Sequence, residues 1–147
     1  MNAVISPTAK VYDGVILGQN VEVQDFVVLG QTFSNGNELL ETKLGADSVI
    51  RSHSVIYAGN TIGNDFQTGH HTLIRQHCVI GENVSVGSQS VLEHSVEVGS
   101  GVRIHSQAFI PEFSVIMTNA WIGPRVCLTN SKFPNLPGSK DKLDGVT

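Results

Sequence analysis

The sequence predicts an all-β solenoid built from very short strands, and three observations carry that reading. From Leu44 to Leu128 every sixth residue is drawn from one chemical class: Leu44, Ile50, Ile56, Ile62, Thr68, Ile74, Ile80, Val86, Leu92, Val98, Ile104, Ile110, Ile116, Ile122 and Leu128. Only Thr68 is not aliphatic. A helix repeats every 3.6 residues and a strand every 2, so strict period six fits strands of about three residues joined by tight corners. Second, the slot after the aliphatic is often glycine (Gly45, Gly63, Gly69, Gly81, Gly87, Gly99, Gly123), and two residues further on stand Asp47, His53, Gly59, Asp65, His71, His77, Asn83, Gln89, Gly101, Gln107 and Asn119. These types tolerate positive φ, so both slots read as corners. Third, two residues before each aliphatic stand small or branched groups such as Ser48, Ser54, Thr72, Cys78, Val84 and Ser90. Strand alternation points them, with the aliphatics, into one narrow core.

In chain order, Ile5, Val11, Leu17, Val23 and Leu29 form a shorter run of the same repeat, about one and a half coils. Leu29 and Leu44 are fifteen apart, which is not a multiple of six, and residues 31–43 carry no hexad pattern. They read as a loop thrown out from a corner, either a surface insertion or a segment touching substrate or a neighbouring subunit. After Leu128 the repeat stops. The turn-rich tail, residues 132–147, reads as a cap, a second active-site loop or a frayed end.

Composition narrows the function classes. The 147 residues are 40% hydrophobic and 15% charged, as expected of one globular domain over 1–147. A formal net charge of −4 gives no reason to expect nucleic acid or an anionic membrane. No run of eighteen apolar residues and no signal pattern is present, so a cytoplasmic protein is expected. Cys78 falls in a core slot and Cys127 in an outward one, which predicts two unpaired thiols.

With these residues in view, the chain from Ile5 to Pro134 resembles the hexapeptide-repeat, or isoleucine-patch, acyltransferases. The resemblance implies a left-handed parallel β-helix with three hexads per triangular coil, about six coils here. It also implies that residues eighteen apart stack one coil above another, at roughly 4.8 Å. One such column reads Ala58, Gln76, His94, Glu112, Asn130 and places an imidazole beneath a carboxylate. A second, Tyr57, Arg75, Glu93, Pro111, Thr129, sets Arg75 against Glu93. A third is His53, His71, Gln89, Gln107, Arg125, and a fourth Arg51, Gly69, Gly87, His105, Gly123.

Acyl transfer from a thioester needs a base for the acceptor proton, and a histidine oriented by a carboxylate serves. The segment Val91-Leu92-Glu93-His94-Ser95-Val96-Glu97-Val98-Gly99 resembles the I-E-H-(D/E)-C-x-I-G segment of hexapeptide acetyltransferases acting on amino sugars, in which that histidine is the base. Ser95 stands where the family often has an acid, so Glu112, one coil up, is the expected orienting group. His105 is the rival base, read as close to Glu112, in a column that otherwise carries glycine. His53, His70 and His71 read as corner residues. Trp121-Ile122-Gly123-Pro124-Arg125-Val126-Cys127-Leu128-Thr129-Asn130-Ser131-Lys132-Phe133-Pro134 resembles the W-I-G-x-x-V-x-F-T-N-D-x-x-P motif of nucleotide-sugar amine N-acetyltransferases, with Leu128 and Ser131 in place of Phe and Asp.

That resemblance implies acetyl-CoA as donor and a nucleotide-linked amino sugar as acceptor. Arg75, Glu93, Gln107 and Asn130 are expected at the substrate, and Trp121, Gly123 and Arg125 at CoA. Contacts to the pyrophosphate would come from Arg75, Arg103, Arg125 or backbone amides. It implies a homotrimer with sites between prisms, its interface drawing on Phe109, Phe113, Val115 and Trp121. Two other classes stand beside it: a non-catalytic scaffold, and a zinc-dependent hydratase with three histidines about 2.0–2.1 Å from the metal. The hydratase spacing closes with two histidines five apart, which no pair here has, so no metal is expected.

Overall fold

A computed structural model describes residues 2–32 and 40–147. Among these the chain forms strands of two to four residues sorted into three parallel sheets. Sheet A contains Val4–Ile5, Glu22–Val23, Val49–Ile50, Gln67–Thr68, Ser85–Val86, Arg103–Ile104 and Trp121–Ile122. Sheet B contains Lys10–Val11, Val28–Gln31, Val55–Tyr57, Leu73–Ile74, Val91–Leu92 and Phe109–Ile110. Sheet C contains Val15–Leu17, Thr42–Leu44, Thr61–Ile62, Val79–Ile80, Glu97–Val98 and Val115–Ile116. The chain visits A, B and C in turn, so each strand pairs with the one a full coil later: Val79 with Glu97, Ser85 with Arg103, Val91 with Phe109. The result is a left-handed parallel β-helix of about six turns.

Period six works because every sixth side chain enters the same narrow interior. Ile50, Ile56, Ile74, Leu92 and Ile110 are fully buried, in one core cluster running from Val21 to Ile116. Each such burial contributes about 1.5–3 kcal/mol. Thr68, the odd member, is buried as well; its hydroxyl accepts from the Arg51 amide at 2.8 Å and lies 3.3 Å from Ser54 Oγ. The small polar residues of the preceding slot likewise bond backbone carbonyls, Ser48 to Gly45 at 2.8 Å and Ser90 to His105 at 2.9 Å. Among the described residues no buried side-chain polar atom lacks a partner.

The corners follow the expected slot. All eleven residues assigned to it have positive φ, and the register imposes the same conformation on Ser95, Phe113 and Arg125, at 58°, 64° and 60°. The glycine slot has a different cause. No positive φ is recorded at Gly45, Gly63 or Gly81; instead, a Cβ at Gly63 would stand 2.8 Å from the carbonyl carbon of Gly81. Those glycines let adjacent coils approach.

The interruption after Leu29 is narrower than residues 31–43. Gln31 still pairs with Tyr57, after a bulge at Gly30, and Thr42 and Lys43 already pair with Val15 and Ile16. The alternation of Thr42-Lys43-Leu44, buried then exposed then buried, is a strand pattern and draws them into sheet C. Leu17 therefore pairs with Leu44, nine residues beyond the usual eighteen. Residues 33–39 of the expected loop lie outside the described residues.

The tail returns to the last coil. The Val115 amide, which would otherwise donate to a further coil, donates to the Val146 carbonyl at 2.7 Å, and the Val146 amide meets Ser114 Oγ at 3.3 Å. A Cβ at Gly145 would stand 1.9 Å from the Phe113 carbonyl oxygen, so only glycine passes there. Of the three readings of the tail, residues 144–146 act as a cap on sheet C.

Candidate functional site

Three edges join the three sheets, and the anticipated site residues divide between two of them. On the edge leading from sheet B to sheet C, Arg75 Nη1 lies 3.3 Å from Glu93 Oε2, the ion pair that column reading anticipates, and its guanidinium sits 5.5 Å over the Tyr57 ring. Nε of Arg75 also donates to Gln76 at 3.3 Å. One slot further along each corner stand His94, Glu112 and Asn130. His94 is half-buried; its Nδ1 lies 3.2 Å from Ser95 Oγ, and its ring meets the Phe113 ring edge-on at 5.2 Å. Glu112 is held from above, Oε2 accepting from Asn130 Nδ2 at 2.7 Å.

The direct His94–Glu112 dyad is therefore not what the side chains form. Among the described residues no hydrogen bond or ion pair joins them: the serine beside His94 takes the orienting place, and the Asn130 amide takes the carboxylate. A column brings Cα atoms to about 4.8 Å but leaves each side chain free to turn to a nearer partner.

The second group lies on the edge leading from sheet A to sheet B. His105 packs against Trp121, with ring centres 4.7 Å apart, and the Trp121 ring covers the space beside Gly123. Gln107 bridges two coils, donating to Gln89 at 3.0 Å and accepting from Arg125 Nε at 2.8 Å. Lower on this edge the His53 and His71 rings stack at 4.7 Å, nearly parallel, with Phe26 5.0 Å from His53. The expectation that His105 sits close to Glu112 is corrected. His105 precedes the sheet B strand Phe109–Ile110 and Glu112 follows it, so they stand at opposite borders of that sheet.

Between the two borders lies a feature that reading by sixes passes over. Above the first strand, where Lys10 points outward, the outward residues of sheet B are Val28, Val55, Leu73, Val91 and Phe109, an apolar stripe only half-buried in one chain. The sequence signal existed, one residue before every third aliphatic; only Phe109 of this set was singled out as an interface candidate. Of the others, Phe113 is 47% exposed at one border and Trp121 64% exposed at the other.

The thiols are both free. Burial pushes the Cys78 thiol up to about 11, while Cys127 is exposed. Among the described residues no three histidine, cysteine or carboxylate side chains converge as a metal site would require, and no helix is long and apolar enough to cross a membrane.

Comparison with known proteins connects this arrangement to a repeat family. The bacterial transferase hexapeptide (six repeats) family matches residues 77–111, a span that includes His94 and His105. Among solved structures, a mutant of GDP-perosamine N-acetyltransferase from Caulobacter crescentus, in complex with CoA and GDP-perosamine, aligns at a TM-score of 0.71 and 19% identity, over 82% of this chain and 53% of that one. A mutant of AntD, an N-acyltransferase from Bacillus cereus in complex with dTDP and coenzyme A, aligns at 0.71 and 17% identity, over 84% and 77%. The chain thus spans about half the length of the perosamine enzyme. With the repeat match lying over both candidate histidines and the coil architecture shared along most of its length, the chain is a left-handed β-helix that is similar over residues 77–111 to the hexapeptide-repeat transferases.

Proposed function

We propose that this protein is an acyltransferase that moves an acetyl group from acetyl-CoA to the amino group of a nucleotide-linked sugar, working in the cytoplasm as a homotrimer with His94 as general base. One observation carries the reading: His94 is half-buried at the border of an unpartnered apolar sheet, with one ring nitrogen engaged by Ser95 and the ring propped by Phe113. When Nδ1–H donates to the serine oxygen, Nε2 keeps its lone pair and can accept a proton. The CoA complexes of the two structural neighbours, one holding GDP-perosamine and the other dTDP, support the donor and acceptor classes.

The acceptor amine attacks the thioester carbonyl. His94 removes the amine proton as the C–N bond forms, the C–S bond breaks, and the proton passes to the departing CoA sulfur. Trp121, Gly123 and Arg125 are proposed to hold CoA. Arg75, Glu93, Gln107 and Asn130 are proposed to hold the sugar nucleotide, with Glu112 ordered by Asn130 between them.

Trimerisation explains why one chain splits its site. His94 and His105 are eleven residues apart, within one coil, and hence at similar height on opposite borders of sheet B. A threefold axis parallel to the solenoid keeps heights equal, so the His94 border of one protomer can meet the His105 border of its partner. The apolar stripe would be covered by the same contact. Thiol release from acetyl-CoA with a panel of nucleotide amino sugars tests the chemistry. Release with at least one acceptor, lost in His94→Ala, is expected; none with any acceptor would favour the scaffold reading. Sedimentation analysis should show three chains, and Val91→Glu should yield inactive monomers. A monomeric, active wild type would overturn the shared site.

A further inference from the structure

Three consecutive residues of the returning tail fasten the corner that holds the neighbours of His94. Asp144 donates its amide to the Asn130 carbonyl at 3.1 Å. The Gly145 backbone lies against the peptide between Phe113 and Ser114, where a Cβ would overlap the Phe113 carbonyl. Val146 accepts from the Val115 amide at 2.7 Å and donates to Ser114 Oγ at 3.3 Å. One coil below, that place belongs to the solenoid itself, Glu97 donating to the Ser114 carbonyl; above Val115 the tail has taken it over.

Each fastened group bears on the candidate base. Phe113 stands at φ 64°, in a corner slot that polar residues and glycine fill on most other coils and that a bulky side chain disfavours. Such a conformation persists where the surroundings hold it. Its ring meets His94 edge-on at 5.2 Å, so the backbone setting of Phe113 decides what the imidazole rests against. Asn130, tied to Asp144, holds the Glu112 carboxylate at 2.7 Å. Ser114 is fully buried and donates its hydroxyl to the Pro111 carbonyl at 2.8 Å, which pins the start of the same corner.

We propose that the tail is a working part of the candidate site: Asp144, Gly145 and Val146 are positioning residues that hold Glu112 and Phe113 in place and, through Phe113, the orientation of the His94 ring. The consequence for rate rests on the reading of His94 as general base; the mechanical coupling of tail to imidazole does not.

Gly145→Ala in the full-length protein tests it, because a methyl there cannot share space with the Phe113 carbonyl and must lift the tail. Hydrogen exchange at the Val115 amide should then quicken about tenfold or more, as its bond to Val146 is lost. The His94 imidazole resonances should shift, while those of His53 and His71, on the other border of sheet B, stay in place. The kcat of thiol release should fall about ten- to a hundredfold with KM for acetyl-CoA unchanged, since Trp121, Gly123 and Arg125 stand at that other border. Val146→Pro removes the amide that meets Ser114 and should move the same three readouts.

A cap without a positioning role predicts a freed Val115 amide and a lower melting temperature, with His94 resonances and kcat at wild-type values. That result would overturn the proposal. A Val115 amide as protected in Gly145→Ala as in wild type would overturn it too, by showing that the tail is not seated through this glycine. If wild type releases no thiol with any acceptor, the acyltransferase reading fails by itself, and the His94 resonances still decide the coupling.

Discussion

Two edges of the prism use one slot of the repeat in opposite ways. From sheet C to sheet A, the residue after the buried aliphatic is Gly45, Gly63, Gly81 and Gly99 on four successive coils; from sheet B to sheet C, it is Tyr57, Arg75, Glu93 and Pro111. On the first edge a Cβ in that slot would fall within 2.4 to 2.8 Å of the next coil's backbone, so the slot is blank and serves stacking, while the cross-coil bond of Asn64 Nδ2 to Glu82 Oε1 at 3.3 Å comes from the slot beyond it. On the second, side chains project and find partners across coils, as Arg75 does with Tyr57 and Glu93. Between these two edges, side chains in this slot project only where glycine is replaced.

The largest effect expected from breaking this contrast is on the projecting edge. His94→Ala should lower kcat by about a hundred- to ten-thousand-fold, the usual contribution of a general base, with an unchanged melting curve. His105→Ala, on the other border of sheet B, should affect the same rate only in the assembled protein. Equal turnover of wild type and both variants would remove the histidines from the mechanism. On the blank edge the effect should be on stability. Gly63→Ala brings a methyl to 2.8 Å from Gly81 backbone and should cost about 1 to 3 kcal/mol in urea unfolding. A variant as stable as wild type would show that the coils have slack and that the glycines there are incidental.

How much of this was legible in the sequence depends on which interaction decides each position. The core and the corners follow from chain periodicity, so the aliphatic series and the eleven positive-φ residues were readable from residue type. Phe113 and Arg125 were not, because register and not side chain sets their conformation. The column was legible for Arg75 and Glu93, which meet although Arg75 Nε also donates to Gln76, because a guanidinium has donors for both. Column reading failed for His94 and Glu112, where Ser95 and Asn130 offer nearer partners. His105 and Glu112 are only seven residues apart, yet a corner, a strand and a second corner carry the chain to the far border of sheet B. The apolar stripe on that sheet repeats every third hexad and is diluted when all hexads are read together.

A smaller effect is expected for Arg75→Ala, in the slot that glycine fills on the blank edge. Its ion pair with Glu93 is only partly shielded, with side-chain exposures of 35% and 18%, so its loss should cost less than about 1 kcal/mol. A much larger loss in urea unfolding would mean that the projecting edge is as structural as the glycine edge, and the contrast between them would fail.

The smallest effect belongs to the two lowest corners between sheets A and B, where Asp25 stands on the surface one coil above Ser6 and Thr8. Its carboxylate accepts from the Ser6 hydroxyl and from Thr8 Oγ1, the latter at 3.1 Å, and these bonds hold its pKa below the ordinary value. Because the folded group is the stronger acid, its stabilising contribution is present above the unfolded value of 3.8 and is lost as pH falls through the depressed folded one. Acid should therefore loosen the first coil locally. The reporter is the Phe26 amide, which donates to Thr8 Oγ1 at 3.2 Å: its hydrogen exchange, corrected for intrinsic rate, should quicken below about pH 4 in wild type and show no such step in Asp25→Asn. The same step in both proteins would assign the acid response to some other carboxylate and leave this corner without a titrating role.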